Sequence, residues 1–230
     1  MVCMKQIQRE EVLQRTADAV AQIALPHPVR VGVDGGSASG KTYFADELAE
    51  VLRGMGRVVV RAGLDGFHNP PELRHRQGAL SVEGYVEDSF DHAAVRRCVL
   101  DPLGPGGSLR YCPEVYDHAV GEARESSWVQ VPADAVLVFE GVMLFRDELV
   151  DAFDYKILLE TSHHVALERA KVRDLEHFGS LDRLFSKYTQ RFQPGQDLYR
   201  ARCRPEEMAD MILNNDDLAC PSLYTRSSEA

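Results

Sequence analysis

The sequence predicts an α/β fold with a mostly parallel, five-stranded sheet flanked by helices, and three observations carry that prediction. Short apolar runs at 29–33, 58–60, 135–139 and 157–159 read as strands buried on both faces. Stretches of helical period separate them. The first two runs are joined through a glycine-rich loop and a helix, a strand-helix-strand unit whose crossover is right-handed and parallel.

Taken in order, residues 10–25 place Leu13, Ala17, Val20 and Ala24 at three- and four-residue spacing, an amphipathic helix stopped by Pro26 and Pro28. After the strand at 29–33, Phe44, Leu48 and Leu52 recur every fourth position, and Gly54 ends that helix before the strand at 58–60. Residues 101–108, DPLGPGGS, form a turn-rich loop, and two short Val- and Tyr-bearing segments within 110–131 predict a β-hairpin insertion. Helices are expected at 162–177 and 181–192, and a last strand at 211–213. One domain spans 1–220, and the small polar residues of 221–230 predict a frayed tail.

Composition narrows the function classes. The 230 residues are 44% hydrophobic and 27% charged, ordinary for a globular chain. A net charge of -10 argues against a partner in polymeric nucleic acid, whose backbone demands a basic surface. The five cysteines (Cys3, Cys98, Cys112, Cys203, Cys220) form no C-x-x-C pair, so neither a disulfide framework nor a cysteine zinc site is expected. The N-terminal residues contain no apolar h-region and no apolar run approaches the roughly 18 residues of a membrane span, which predicts a soluble cytoplasmic protein without a membrane partner.

Residues 35–42 read GGSASGKT, a full match to G-x-x-x-x-G-K-[ST] between a strand and a helix, which makes the expected fold that of a P-loop NTPase. Gly35, Gly36, Ser37, Ala38, Ser39 and Gly40 would turn their N–H groups onto phosphate oxygens at the positive end of a helix. Lys41 would bridge the terminal phosphates and Thr42 would ligate Mg²⁺. Asp65, in LDGFH, follows the second strand at the sheet edge where parallel sheets place their ligands. It suits a general base or a metal contact, and equally an Asp-Gly turn. Glu140 ends the strand in AVLVFEGVML and suits a metal contact through water, or a helix cap.

GGSASGKT, LDGFH, VFEGVMLF and ERAKVRD, in that order, make residues 29–216 resemble the uridine kinase family of P-loop kinases. The resemblance implies phosphoryl transfer from ATP to a nucleoside hydroxyl, with Asp65 as the catalytic acidic residue and Arg169 and Arg173 as arginines of a helical lid at about 162–204. CPEVYDH is similar to the family's base-contacting P-x-Y-D segment, which makes Tyr116 and His118 base-facing; Gly121 stands where the family has histidine. GYVEDSFDH resembles an aspartate-rich stretch, with Tyr85 in place of the ribose-binding aspartate and Asp88 and Asp91 matching later acids. His68 matches an aromatic or histidine position. The acceptor-side set is therefore Asp65, His68, Tyr85, Asp88, Tyr116, His118 and Arg173, and a homo-oligomer is implied as for other members. EMADMILNN resembles the family's closing strand.

From Arg169 to Arg204 the chain has nine basic and four acidic residues, inverting its global sign. Arg169 and Arg173 lie roughly 40° apart on a helix and are expected to face one cleft, closing over a triphosphate and excluding water. Individually, such residues also suit a solvated face laced by ion pairs. His163 and His164 have no third ligand at metal spacing and suit a helix start. Two rival functions share these motifs: a kinase for pantothenate, a sugar or a phosphopentulose, and a nucleotide-binding regulator without catalysis. No N-K-x-D guanine-reading signature occurs.

Overall fold

The computed structural model describes residues 2–117, 120–125 and 127–226. Strand β1 (Val2–Gln6) leads into α1 (Arg9–Ala21), which buries Val12, Leu13, Ala17 and Val20. Strand β2 (Val29–Gly35), buried along its whole length, carries the glycine loop into α2 (Lys41–Gly54), whose apolar stripe is Phe44, Leu48 and Leu52. After β3 (Val59–Gly63), a 3-10 turn at Leu64–Phe67 presents Asp65.

Three short helices follow: α3 (Pro71–Arg74), α4 (Val82–Asp88) and α5 (His92–Val95). Ser81 caps α4 by accepting the Gly84 N–H at 2.9 Å, and Asp91 caps α5 by accepting the Ala94 N–H at 2.8 Å. The expected insertion consists of two nested antiparallel pairs, β4 (Arg110–Tyr111) with β7 (Val129–Gln130) around β5 (Tyr116–Asp117) with β6 (Glu122–Ala123). The chain returns through β8 (Val136–Gly141) and β9 (Tyr155–Glu160).

The main sheet has the order β1-β11-β10-β9-β2-β8-β3, where β10 is Met211–Asn214 and β11 is Ser222–Arg226. The five strands from β10 to β3 are parallel, as expected, with β2 between β8 and β9. Two corrections come at the edge. The sheet has seven strands, because β11 pairs antiparallel with both β10 and β1, and residues 222–226 of the expected frayed tail are one of them. VCMKQ and SLYTR have no apolar run to announce them, and their order comes from pairing with each other across the length of the chain. Leu223 is thereby buried at 8% exposure in the core beneath α1 and α2.

The lid consists of α6 (His163–Arg173), α7 (Leu175–Phe178), α8 (Leu181–Lys187), a π-turn at Tyr188–Phe192, α9 (Gln193–Cys203) and α10 (Pro205–Met208). The helix expected over 162–177 breaks at Asp174, and α9 extends the helical region beyond the expected end at 192. Pro194 and Gly195 read as breakers, yet Pro194 lies in the first turn, where no N–H is needed. Gly195 serves contact: a Cβ there would lie 2.4 Å from Tyr85 Cδ1.

Two apolar cores sandwich the sheet, one under α1 and α2, the other under α4, α5 and α9. At the start of β2, Arg30 donates to both oxygens of Asp154 at 3.0 Å, joining β2 to the segment that opens β9. The edge pairing predicts that Leu223→Ala lowers the unfolding free energy in urea by about 2 to 4 kcal/mol, the range for emptying a core leucine site. A loss below about 0.5 kcal/mol, the range of surface changes, would show that β11 is not part of the folded sheet.

Candidate active site

The glycine loop leaves β2 at the centre of the sheet's carboxyl edge. Ala38 adopts φ 60°, unusual for a side chain with a Cβ, and is 4% exposed beneath Ala166, Ala170, Leu184 and Tyr188 of the lid. Gly40 (φ 87°) makes room for Asn215: a Cβ would lie 2.8 Å from Asn215 Nδ2, which donates to the Ser39 carbonyl at 2.7 Å. Lys41 donates to the Gly36 carbonyl at 3.3 Å, folded back over the loop.

The Thr42 hydroxyl donates to Glu140 Oε1 at 3.3 Å, and Gly63 leaves space beside that oxygen, where a Cβ would lie 3.1 Å away. Glu140 is 8% exposed. Burial raises its pKa, Asp65 adds to the rise, and Lys41 opposes it. Lys41, Thr42, Glu140 and Asp65 thus share one end of the cleft. A hydroxyl beside carboxylates is a hard-oxygen set that fits Mg²⁺, which keeps much of its shell as water and phosphate. Among the described residues no group of three or more His, Cys, Asp or Glu is arranged to hold a metal.

Asp65 is exposed between the buried anchors Leu64 and Phe67. His68 Nδ1 lies 2.9 Å from the Asp65 carbonyl, and its ring packs tilted at 48° against Phe90 with centroids 4.5 Å apart. The hairpin insertion docks on this turn: Val115 N–H donates to the Gly66 carbonyl at 2.9 Å. Tyr116 is 6% exposed and its hydroxyl makes no hydrogen bond; Gly121, with a would-be Cβ 3.8 Å from that hydroxyl, leaves it room. Asp65, His68 and Tyr116 are therefore brought to one region. His118 lies outside the described residues.

Three expectations change on contact with the structure. Tyr85 packs its ring against Phe192 at 5.1 Å and beneath the Arg191 guanidinium at 5.6 Å, so the ring is a core element rather than a sugar contact. Asp88, 2% exposed, has both oxygens occupied, by Arg76 and by Gln77 at 2.7 Å, so it holds the 71–81 segment. Arg169 and Arg173 both reach the phosphate loop but do not work as a pair. Arg169 donates to the Ser39, Asn215 and Asp216 carbonyls, fastening the loop from outside.

Arg173 is different. It grips Asp174 through Nε at 2.6 Å and a terminal nitrogen at 2.9 Å, and the same nitrogen lies 3.3 Å from Tyr188 Oη and 3.5 Å from Ser37 Oγ. Tyr188 Oη donates to Asp174 at 2.6 Å, which leaves the Ser37 hydroxyl, 2.9 Å away, to donate to Tyr188. Burial would raise Asp174, but hydrogen bonds from Arg173 and Tyr188 hold it below its ordinary value. The lid is thus latched to Ser37 through a charged arginine. Between loop and lid lies a cavity of about 190 Å³ bordered by Ser37, Ser39, Thr161, Tyr188, Gln196 and Arg200.

Sequence reasoning gave no role to Asp174, Tyr188, Asn215 or Asp34. Asp174 and Asn215 close the motifs ERAKVRD and EMADMILNN, and Asp34 is a lone carboxylate inside the apolar strand VRVGVDG; Tyr188 carried no signal. No helix among the described residues is long and apolar enough to cross a membrane, and Cys98, Cys112, Cys203 and Cys220 are free thiols.

The chain is similar to named kinases over most of its length. It is 29% identical over 203 residues to uridine-cytidine kinase 2-B of Danio rerio, covering 83% of this chain and 74% of that protein. It is 30% identical over 178 residues to uridine-cytidine kinase B of Dictyostelium discoideum, covering 75% and 70%. Among solved structures, a possible uridine kinase from Bacillus stearothermophilus superposes with a TM-score of 0.68 at 19% identity, over 88% of this chain and 97% of that one. Phosphoribulokinase from Rhodobacter spheroides superposes with a TM-score of 0.58 at 17% identity, over 82% and 70%, a likeness of fold. A family profile described as phosphoribulokinase / uridine kinase matches residues 30–215, and the chain belongs to that family.

Proposed function

We propose that the protein transfers the γ-phosphoryl group of ATP to a hydroxyl of a small molecule, with a pyrimidine nucleoside, uridine or cytidine, as the first acceptor and the 5′-monophosphate as product. The observation that carries this reading is the convergence of Lys41, Thr42 and Glu140 with the exposed Asp65 at the end of β3. A module that only binds nucleotide has no use for an exposed carboxylate there. The names of the relatives support the nucleoside.

In this mechanism the loop N–H groups from Gly36 to Thr42 hold the phosphates, and Lys41 moves from the Gly36 carbonyl to phosphate oxygen. Thr42 and Glu140 would hold Mg²⁺, which supplies charge neutralisation when bound. Asp65 orients the acceptor hydroxyl and takes its proton on a carboxylate oxygen as the new P–O bond forms and the bond from the γ-phosphorus to the bridging oxygen breaks, that oxygen leaving with ADP. Arg173 adds positive charge where it develops on the transferred group, and the lid excludes water as a competing acceptor. Tyr116 offers the acceptor a buried hydroxyl with unspent hydrogen-bonding capacity.

A second acceptor class, a sugar or small acid, is favoured by Gly121 beside the Tyr116 hydroxyl and by the occupied oxygens of Asp88, which leave the pocket unlike the nucleoside pattern. The same reading makes the protein a soluble cytoplasmic enzyme, with the homo-oligomer open to direct measurement of mass in solution.

ADP release from MgATP, measured with uridine, cytidine, other nucleosides, pantothenate and simple sugars, tests the assignment. Uridine or cytidine is expected to stimulate release, and Lys41→Ala to abolish it. Stimulation by another acceptor alone would replace the nucleoside while keeping the kinase. Asp65→Asn is expected to lower kcat at saturating ATP by about 10²- to 10⁴-fold, the range for a general base; unchanged turnover removes Asp65 from the chemistry. Arg173→Ala is expected to lower kcat by about 10²-fold or more, with the far smaller effect on ADP affinity that separates a transition-state contact from uniform binding. Equal losses in both would make it a ground-state anchor.

A further inference from the structure

Directly behind the phosphate loop, the penultimate residue of β2 is a carboxylate that the proposed reaction does not use. Asp34 is 0% exposed, and its oxygens are unequally served. Tyr199 Oη donates to Oδ2 at 2.5 Å, whereas Oδ1 makes no hydrogen bond. Tyr199, 1% exposed on α9, is fixed from its other side by the Phe145 N–H, which donates to its oxygen at 2.9 Å. The tyrosine proton is thereby committed to Asp34, and one side-chain donor must stabilise a charge in a dry wall.

The ionisable groups whose fields reach Asp34 are Lys41 at the start of α2, Tyr85 on α4, and Tyr199 and Cys203 on α9. Lys41 is the single cation of this set. Burial pushes the Asp34 pKa up to about 6, against the pull of Tyr199, the Leu144 and Gly35 N–H groups, and Lys41. Asp34 is therefore poised for small electrostatic changes to decide its charge.

Filling the loop changes the electrostatics in one direction. Several phosphate charges arrive within a few residues of an ionised, desolvated carboxylate, and Lys41 is drawn from this neighbourhood to phosphate oxygen. Both changes disfavour a second anion.

We propose that Asp34 takes up a proton when a nucleoside triphosphate occupies the phosphate loop, and so acts as a positioning residue whose charge is matched to the loop's occupancy. The proton comes from solvent and adds to Oδ1, the vacant oxygen; Tyr199 continues to donate to Oδ2, and no other bond forms or breaks. The proposal rests on the nucleotide-binding part of the reading above and adds a proton linkage to it. Because the complex binds the proton more tightly than the free protein does, affinity for the triphosphate rises as pH falls toward 6.

Calorimetric titration of the full chain with MgATP, in pairs of buffers that differ in ionisation enthalpy, counts the protons. The wild-type protein is expected to take up a measurable fraction of one proton more than Asp34→Asn at about pH 7; exchange by MgATP itself is common to both and cancels. The ratio of the two affinities is expected to change about fivefold between about pH 8 and about pH 6, the change produced when a group with a pKa of about 6 in the free protein holds its proton about ten times more tightly in the complex. Tyr199→Phe, which strips Asp34 of its side-chain donor, is expected to move the uptake window to higher pH, and this comparison stands alone if Asp34→Asn does not fold. Equal proton counts with parallel affinity curves, or a window unmoved by Tyr199→Phe, overturn the linkage while leaving nucleotide binding in place. Failure of all the folded proteins to bind MgATP overturns the nucleotide reading and the linkage with it.

Discussion

Everything in this molecule depends on holding a run of backbone N–H groups, with no side chains in the way, at the end of one strand. Such a loop binds phosphate only if its amides are already convergent, because each mobile residue would lose conformational entropy on binding. The fold meets this by placing β2 inside the sheet, hydrogen-bonded on both edges and buried along its length. Its start is fastened by Arg30 to Asp154, and its end by Tyr199 to Asp34. The loop is then pinned from outside by Arg169 and Asn215 on the Ser39 carbonyl, and from above by lid side chains over Ala38. A positive φ at alanine costs on the order of 1 kcal/mol or more and persists only when its surroundings leave no alternative.

The same scaffold separates charges that the global count obscures. A chain with a net charge of -10 needs a local reversal to receive a triphosphate, and the lid supplies it. Arg173 is nevertheless partnered while it waits: Asp174 holds its guanidinium in a two-point grip, and the Tyr188 hydroxyl passes that grip on to Ser37. In the proposed reaction, an arginine kept in this geometry would lose less freedom on exchanging carboxylate for phosphate as its partner. Nearby, Glu140 is the acid whose ionisation burial disfavours and Lys41 favours.

Legibility in the sequence followed the range of the interactions. Residues 35–42, Asp65 and Glu140 were readable because spacing along a short segment and position at a strand end express their chemistry. The five parallel strands were readable because burial on both faces forces continuous apolar runs. Strands β1 and β11 were not, since their order depends on pairing between the two ends of the chain. Helix α9 was hidden by Gly195, whose use is the space it gives to Tyr85, a contact over a hundred positions away. For the same reason the ring of Tyr85 looked like a ligand contact, and Arg169 and Arg173 looked like a pair. Helical spacing gives their angle, but the carbonyls of Ser39, Asn215 and Asp216 decide where Arg169 ends.

The acceptor side is built on a different principle, and this explains why it departs from the nucleoside pattern while the phosphate side does not. Asp65 belongs to the sheet edge, but the groups around it come from an insertion whose strands are two residues long and which touches the Asp65 turn through the backbone, Val115 N–H to Gly66 carbonyl. Close approach there requires glycine, because a Cβ at position 66 would lie 2.7 Å from Glu114 Cβ. With the docking contact made by main chain, side chains such as Tyr116 and the open space at Gly121 can differ without disturbing Asp65, β2 or the loop. On the proposed reading, phosphoryl transfer and acceptor choice are carried by separate parts of the structure, so that a change of acceptor would call for new side chains on the insertion and no change in the sheet.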